Sequence, residues 1–257
     1  MKDFLKRLQY PILAPLIGLS LWQAVVWLTD APHFILPGPL RVLEAGYKNW
    51  ESISGHALVT ATEIGLGLVI GILLGVATAI NLATSPRLAQ LSLPLLVFTQ
   101  AVPVFALAPI LTLWFGYGMG SKIIMAVLII YFPVTSAFYD GLSRTPLGLL
   151  DLARTMGAKP SQVMWRIKIP HALPSLASGL KLASVYAPIG AVIGEWVGSS
   201  NGLGYLMLLA NGRAKTDLMF ASVFVLAIMT VILHRLISVL ADRVSAMTAS
   251  GEAPPKF

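Results

Sequence analysis

Cysteine is absent from this sequence. Disulfides, thiolate metal sites and thiol nucleophiles go with it, although the compartment stays open. Charge is scarce as well. Asp, Glu, Lys and Arg make up 11% of the 257 residues, against roughly 25% in an ordinary soluble domain, so a water-soluble globular fold is excluded. Catalytic signatures are missing too: there is no His-Glu-x-x-His helix and no Gly-x-Ser-x-Gly elbow. The run Gly116 to Lys122 superficially resembles a phosphate loop, but Ile123 follows the lysine where Ser or Thr is required. No catalytic residue and no metal ligand is assigned, and this chain is not expected to hydrolyse ATP by itself.

What the sequence does contain is long apolar runs. Crossing a hydrocarbon layer of about 30 Å takes roughly 20 apolar residues in a helix. Six such runs fall at about 11–29, 60–82, 92–114, 122–139, 176–197 and 218–240. Leu66 to Ile80 is apolar at both odd and even positions, which argues against membrane strands. The expected fold class is all-α integral membrane with six transmembrane helices. The first run lacks a small-residue cleavage site and reads as a retained helix. With both termini cytoplasmic, Arg41, Lys48, Lys122, Arg213 and Lys215 lie outside and the other thirteen of the 18 basic residues lie inside. That asymmetry follows the positive-inside rule. The net charge of +7 is thus explained by topology in a lipid membrane, and nucleic-acid binding is not expected.

Several local features qualify this layout. Leu36-Pro-Gly-Pro39 breaks the backbone after the first span, and Pro39 to Trp50 can lie as a short amphipathic helix at the outer surface. Gly67, Gly71 and Gly75 form a small-residue row in the second span, and Gly190, Gly194 and Gly198 form another in the fifth. A spacing of four lets helix backbones approach closely, either within the chain or between subunits. Pro94, Pro103 and Pro109 in the third span, Pro133 in the fourth and Pro188 in the fifth bend their helices. The tail from Ser250 to Phe257 is expected to be disordered.

Two carboxylates stand inside apolar runs, Glu63 and Glu195. Charge at membrane depth is costly and faces protein, water or a ligand. Glu63 and Glu195 either reach headgroups, or pair with Lys122 or Arg213, or line a translocation pathway together with Trp196 and Gln100. His33, His56, His171 and His234 lie near span ends, where solvated or interfacial roles are the default.

The segment from Arg144 to Pro170 is too polar for lipid. Leu149, Leu150, Ala153 and Met156 recur at helical spacing, and Gly157 can take the left-handed conformation that ends a helix. Ser161 can cap a second short helix, and Pro170 stands before the next span. Such an ordered polar insert serves either as a connector at the lipid surface or as a docking element.

Asp151-Leu152-Ala153-x-x-x-Gly157-x9-Ile167-x-Ile169-Pro170 resembles the Glu-Ala-Ala-x-x-x-Gly-x9-Ile-x-Leu-Pro loop of ABC-importer transmembrane subunits. Asp151, Leu152 and Ile169 depart from that pattern. Leu36-Pro-Gly-Pro39, Leu113-Trp-Phe-Gly116, Phe132-Pro133, Gly179-Leu-Lys181 and Gly202-Leu-Gly-Tyr205 resemble nitrate/sulfonate/taurine-type permeases of the binding-protein-dependent family. Val192 to Gly198 and Thr216 to Phe220 resemble permeases for hydroxymethylpyrimidine, a thiamine precursor.

The resemblance implies a type I ABC transmembrane domain over 55–240. An N-terminal helix and external segment would precede it over 1–54, and a cytoplasmic tail would follow over 241–257. It also implies a bacterial inner-membrane homodimer, a cytoplasmic ATPase dimer docked on the 151–170 loop, and a periplasmic or lipid-anchored binding protein. ATP and Mg would be used by the ATPase, with no cofactor bound by this chain. Sulfonate-type relatives often have Arg where this chain has Glu63, and an acidic group there opposes sulfonate or nitrate while accepting hydrogen bonds from an amine. Sulfonate, taurine or nitrate import remains the alternative. A secondary transporter or channel would need coupling-ion sites in duplicated halves, and no such repeat is seen.

Overall fold

A computed structural model describes residues 2–249; the expected disordered tail from Ser250 lies outside that range. Among the described residues every regular element is a helix. Four helices are long and apolar enough to cross a membrane, and a fifth span forms if one bent pair is counted together. The first expected span corresponds to the shorter apolar stretch Pro15–Thr29.

Helix α1 (Lys2–Thr29) leads through a turn into α2 (Pro39–Lys48). Gly38 is extended and Pro39 begins the helix, as its fixed φ and missing N–H allow. Val42 and Ala45 of α2 are buried while Leu40, Leu43 and Tyr47 are exposed, the two faces expected of an interfacial helix. Only Asn49 separates α2 from α3 (Trp50–Thr84). The helix of the second span therefore begins about a decade of residues before the apolar run does.

The third expected span is not one helix. It is α4 (Pro86–Ala101) and α5 (Val104–Phe115), meeting at 95°. Pro103 supplies no N–H and excludes the helical conformation at the residue before it. Val102 is accordingly extended, with φ −85° and ψ 117°. Pro94 and Pro109 remain inside their helices.

Helix α6 (Met119–Ser143) is followed by α7 (Leu147–Thr155), α8 (Pro160–Val163), a π turn (Met164–Lys168) and α9 (Ile169–Gly198). Then come α10 (Leu203–Gly212) and α11 (Thr216–Ala249). The last short helix and the fifth span, expected as separate elements, form one apolar rod from Pro160 to Gly198. Ser161 is not its cap. Lys159 is, because Pro160 starts the helix and the Gln162 side chain accepts the Lys159 N–H at 2.8 Å. The wider π turn precedes Pro170 and accommodates a residue that cannot complete an α-helical hydrogen bond.

The core lies where α6 packs between α3 and α9. Ile64 and Leu68 of α3, Ile130 and Val134 of α6 and Ala183, Ala187 and Ala191 of α9 form one cluster. Both glycine rows serve this packing. A Cβ on Gly71 would sit 3.0 Å from Ile130, and one on Gly190 would sit 2.7 Å from the Ala126 backbone. The rows expected to act within the chain or between subunits are thus used within it. Trp22 of α1 stacks on Phe220 and Phe224 of α11 at centroid distances of 5.7 and 5.5 Å, holding α1 at the rim.

Candidate functional site

At one end of the bundle α7 projects as a short amphipathic helix. Ala153 is buried, whereas Leu147, Leu152 and Met156 are exposed, so an apolar patch stands at a polar end of the molecule. Asp151 and Arg154 form an ion pair at 3.1 Å with both side chains well solvated, which contributes little to stability. Gly157 has φ +71°, a conformation that favours glycine. Its N–H donates to Arg154, and that of Ala158 to Ala153, both at 2.9 Å. The chain is thereby reversed into the rod. Ile167 is half-buried in the π turn. Ile169 packs against the buried cluster formed by Ala79, Phe138, Leu142, Met164 and Ala172, and Pro170 follows in the first turn of α9. The loop is anchored to the rod at one side and offers an apolar face at the other.

The opposite end holds a buried polar cluster. Glu63 is 2%, Glu195 1% and Lys122 1% exposed. Glu195 accepts from the Thr60 hydroxyl at 2.6 Å and from the Gly204 N–H. Thr60 Oγ1 in turn accepts the Leu203 N–H at 2.8 Å, and His56 Nδ1 accepts the Gly202 N–H at 3.0 Å. The free N–H groups at the start of α10 are therefore taken by side chains from α3 and α9, as an unpaired helix terminus requires. Gly202 and Gly204 make this approach feasible. Gly202 has φ +103°, and a Cβ on either glycine would meet the Glu195 carboxyl.

Glu63 belongs to the same buried cluster, and its Oε2 has no hydrogen-bond partner among the described residues. Lys122 does not ion-pair with either carboxylate. Its Nζ donates to the carbonyls of Tyr117, Gly118 at 3.0 Å and Gly198 at 2.6 Å. It ties the α5–α6 turn to the C-terminus of α9, where a cation is favoured.

Glu63 and Glu195 stand out in the sequence as site residues, whereas His56 and Thr60 do not, and Gly202 and Gly204 stand out only as part of a family motif. A signal was present: positions 56, 60 and 63 fall on one helical face in an otherwise apolar stretch. Trp196, next to Glu195, is 44% exposed. Gln100 lies apart from this cluster. It occupies the last turn of α4 and lines a groove of about 710 Å³ with Phe132, Ser136, Asp140 and Tyr186.

Residues 67–246 match the family described as binding-protein-dependent transport system inner membrane component. A probable ABC transporter permease protein of Haemophilus influenzae is 50% identical over 228 residues, covering 89% of this chain and 93% of that protein. The formylaminopyrimidine transport permease protein ThiX of Halalkalibacterium halodurans is 35% identical, covering 86% of this chain and 89% of that protein. Among solved structures, an amino acid ABC transporter with histidines has the same fold, with TM-score 0.64 at 14% identity, covering 77% of this chain and 96% of that one.

Proposed function

The chain belongs to the binding-protein-dependent transport inner-membrane family and is an ABC-importer permease, and from that premise we propose that it imports a thiamine precursor such as hydroxymethylpyrimidine. The observation that carries the coupling part of this reading is the loop geometry. An apolar face on α7 stands beyond the left-handed Gly157, and the rod from Pro160 to Gly198 leads away from it. In the proposed machine Asp151, Leu152, Ala153 and Gly157 form the docking knob for a cytoplasmic ATPase, while Ile167, Ile169 and Pro170 join that knob to the rod. Closure of two ATPase subunits pushes the knob, and α9 carries the displacement towards Glu195 at its far end. ATP and Mg belong to the ATPase, and no cofactor is assigned to this chain.

Two copies of the chain, with both termini in the cytoplasm of a bacterial inner membrane, would enclose the path. Gln100 lies on its wall. Glu63, Glu195 and Trp196 stand at its outer end, where Glu195 secures α10 and a binding protein would deliver cargo. The substrate reading is supported by the ThiX likeness and by the absence of Lys and Arg from the groove beside Gln100.

Reconstitution of the permease with its ATPase and binding protein in proteoliposomes tests this. ATP-dependent uptake of labelled hydroxymethylpyrimidine is expected, and uptake without any ATPase would overturn the reading. Gly157→Val should reduce ATPase co-purification at least tenfold while leaving membrane insertion intact, because a β-branched residue is strained at φ +71°.

A further inference from the structure

The groove between α4, α6 and α9 contains polar groups that nothing among the described residues uses. Its walls carry Gln100, Ser136, Asp140 and Tyr186 beside Phe132. Hydroxyls on neighbouring helical turns bond back to the backbone, as Thr135 does to Tyr131 at 2.7 Å and Ser178 to Pro174 at 3.2 Å. Ser136 does not. Its hydroxyl, the Asp140 carboxylate and the Tyr186 hydroxyl have no hydrogen-bond or ionic partner among the described residues. Gln100 makes one long contact, 3.4 Å from Nε2 to Thr99. The groove measures about 710 Å³, within the range of small-molecule sites.

We propose that this groove is a half-site for a planar nitrogen heterocycle bearing an amine, with Asp140 accepting from the amine and Phe132 and Tyr186 flanking the ring. The proposal rests on the permease reading and specifies the cargo chemistry of the same path. Three features select that class. Among the described residues the one charged side chain on the wall is acidic and no Lys or Arg lines the groove, so a sulfonate or nitrate would meet repulsion without a counter-charge. Aromatic side chains at two places on the wall suit a flat ring, and a ring carrying positive charge gains further from their faces. The Gln100 amide and Ser136 hydroxyl both donate and accept, which matches ring nitrogens and a hydroxyl substituent. The carboxylate exposed to cargo is thus Asp140, whereas Glu63 is enclosed by protein.

The test uses the reconstituted transporter with tritiated hydroxymethylpyrimidine as probe and taurine as competitor, normalised to assembled complex. Wild type is expected to take up the pyrimidine in an ATP-dependent way, unaffected by a hundredfold excess of taurine. Asp140→Asn should lower uptake at least tenfold, Asp140→Glu should recover a substantial part of it, and Tyr186→Ala should lose more than Tyr186→Phe. Should Asp140→Asn assemble poorly, Ser136→Ala replaces it, with uptake expected to fall at least threefold. Wild-type uptake of the pyrimidine by Asp140→Asn or its replacement would overturn the half-site while leaving the thiamine-precursor reading intact. ATP-driven uptake of taurine in preference to the pyrimidine, or no ATP-driven uptake of the pyrimidine by wild type, would overturn both.

Discussion

Glu195 shows how a carboxylate can be accommodated at membrane depth without solvent. Both of its oxygens have donors, one from Thr60 and one from the Gly204 backbone, and both donors belong to elements that would otherwise present unpaired groups. Glu195→Ala leaves the Thr60 hydroxyl with one fewer partner and the Gly204 N–H with none. Each buried polar group stranded in this way costs about 1–3 kcal/mol, so the purified protein in detergent should unfold at a temperature several degrees lower. Glu195→Gln keeps one carbonyl acceptor and should fall between. A melting temperature for Glu195→Ala equal to wild type would mean that the cluster does not stabilise α10. Gly202→Ala should be at least as damaging, since it adds strain at φ +103° to a collision with Glu195. Glu63 and Glu195 were conspicuous in the sequence because charge in an apolar run is conspicuous. Thr60 and Gly204 were not, because a threonine or a glycine in a span has many ordinary uses.

At the scale of elements, α3 shows what a row of glycines does. Gly67, Gly71 and Gly75 meet Ala126, Ile130 and Val134 of α6 in turn, whereas Gly65 on the opposite face meets nothing within 4 Å. Gly67→Ala would bring two Cβ atoms to 2.6 Å and forces the helices apart, at a cost of about 1–3 kcal/mol. Gly65→Ala should leave stability unchanged or raise it by up to about 1 kcal/mol, the gain in helix propensity. Thermal unfolding of the two variants side by side checks the prediction, and equal loss at both positions would contradict it. The spacing of four was legible; the partner helix was not, because spacing is local and pairing is not. The broken third span has the same lesson. All three of its prolines could bend a helix, and only Pro103 coincides with an extended preceding residue.

At the scale of the whole molecule, the rod from Pro160 to Gly198 spans 39 residues, about 58 Å at 1.5 Å per residue. It joins the 151–170 loop at one end to the buried carboxylate cluster at the other. The absence of cysteine makes the proposed orientation directly measurable. Ser161→Cys and Asn211→Cys place single exposed thiols at opposite ends of the bundle. A membrane-impermeant maleimide should label Asn211→Cys in intact spheroplasts and Ser161→Cys only after permeabilisation. The reverse pattern would invert the topology.

What the sequence determined by itself is whatever depends on short range: the membrane class from its apolar windows, the helical fold, the polar loop at 151–170, and the left-handed turn at Gly157. The tertiary structure alone decided where the buried polar groups find partners. Thr60 meets Glu195 across 135 positions and the Leu203 N–H across 143. Lys122 was one of several candidate partners for the carboxylates, and it instead donates to the Gly198 carbonyl across 76 positions. Desolvation requires every such group to be satisfied, but it does not specify by which neighbour. That choice depends on how α3, α6 and α9 pack, and the packing depends on which glycines allow two backbones to touch.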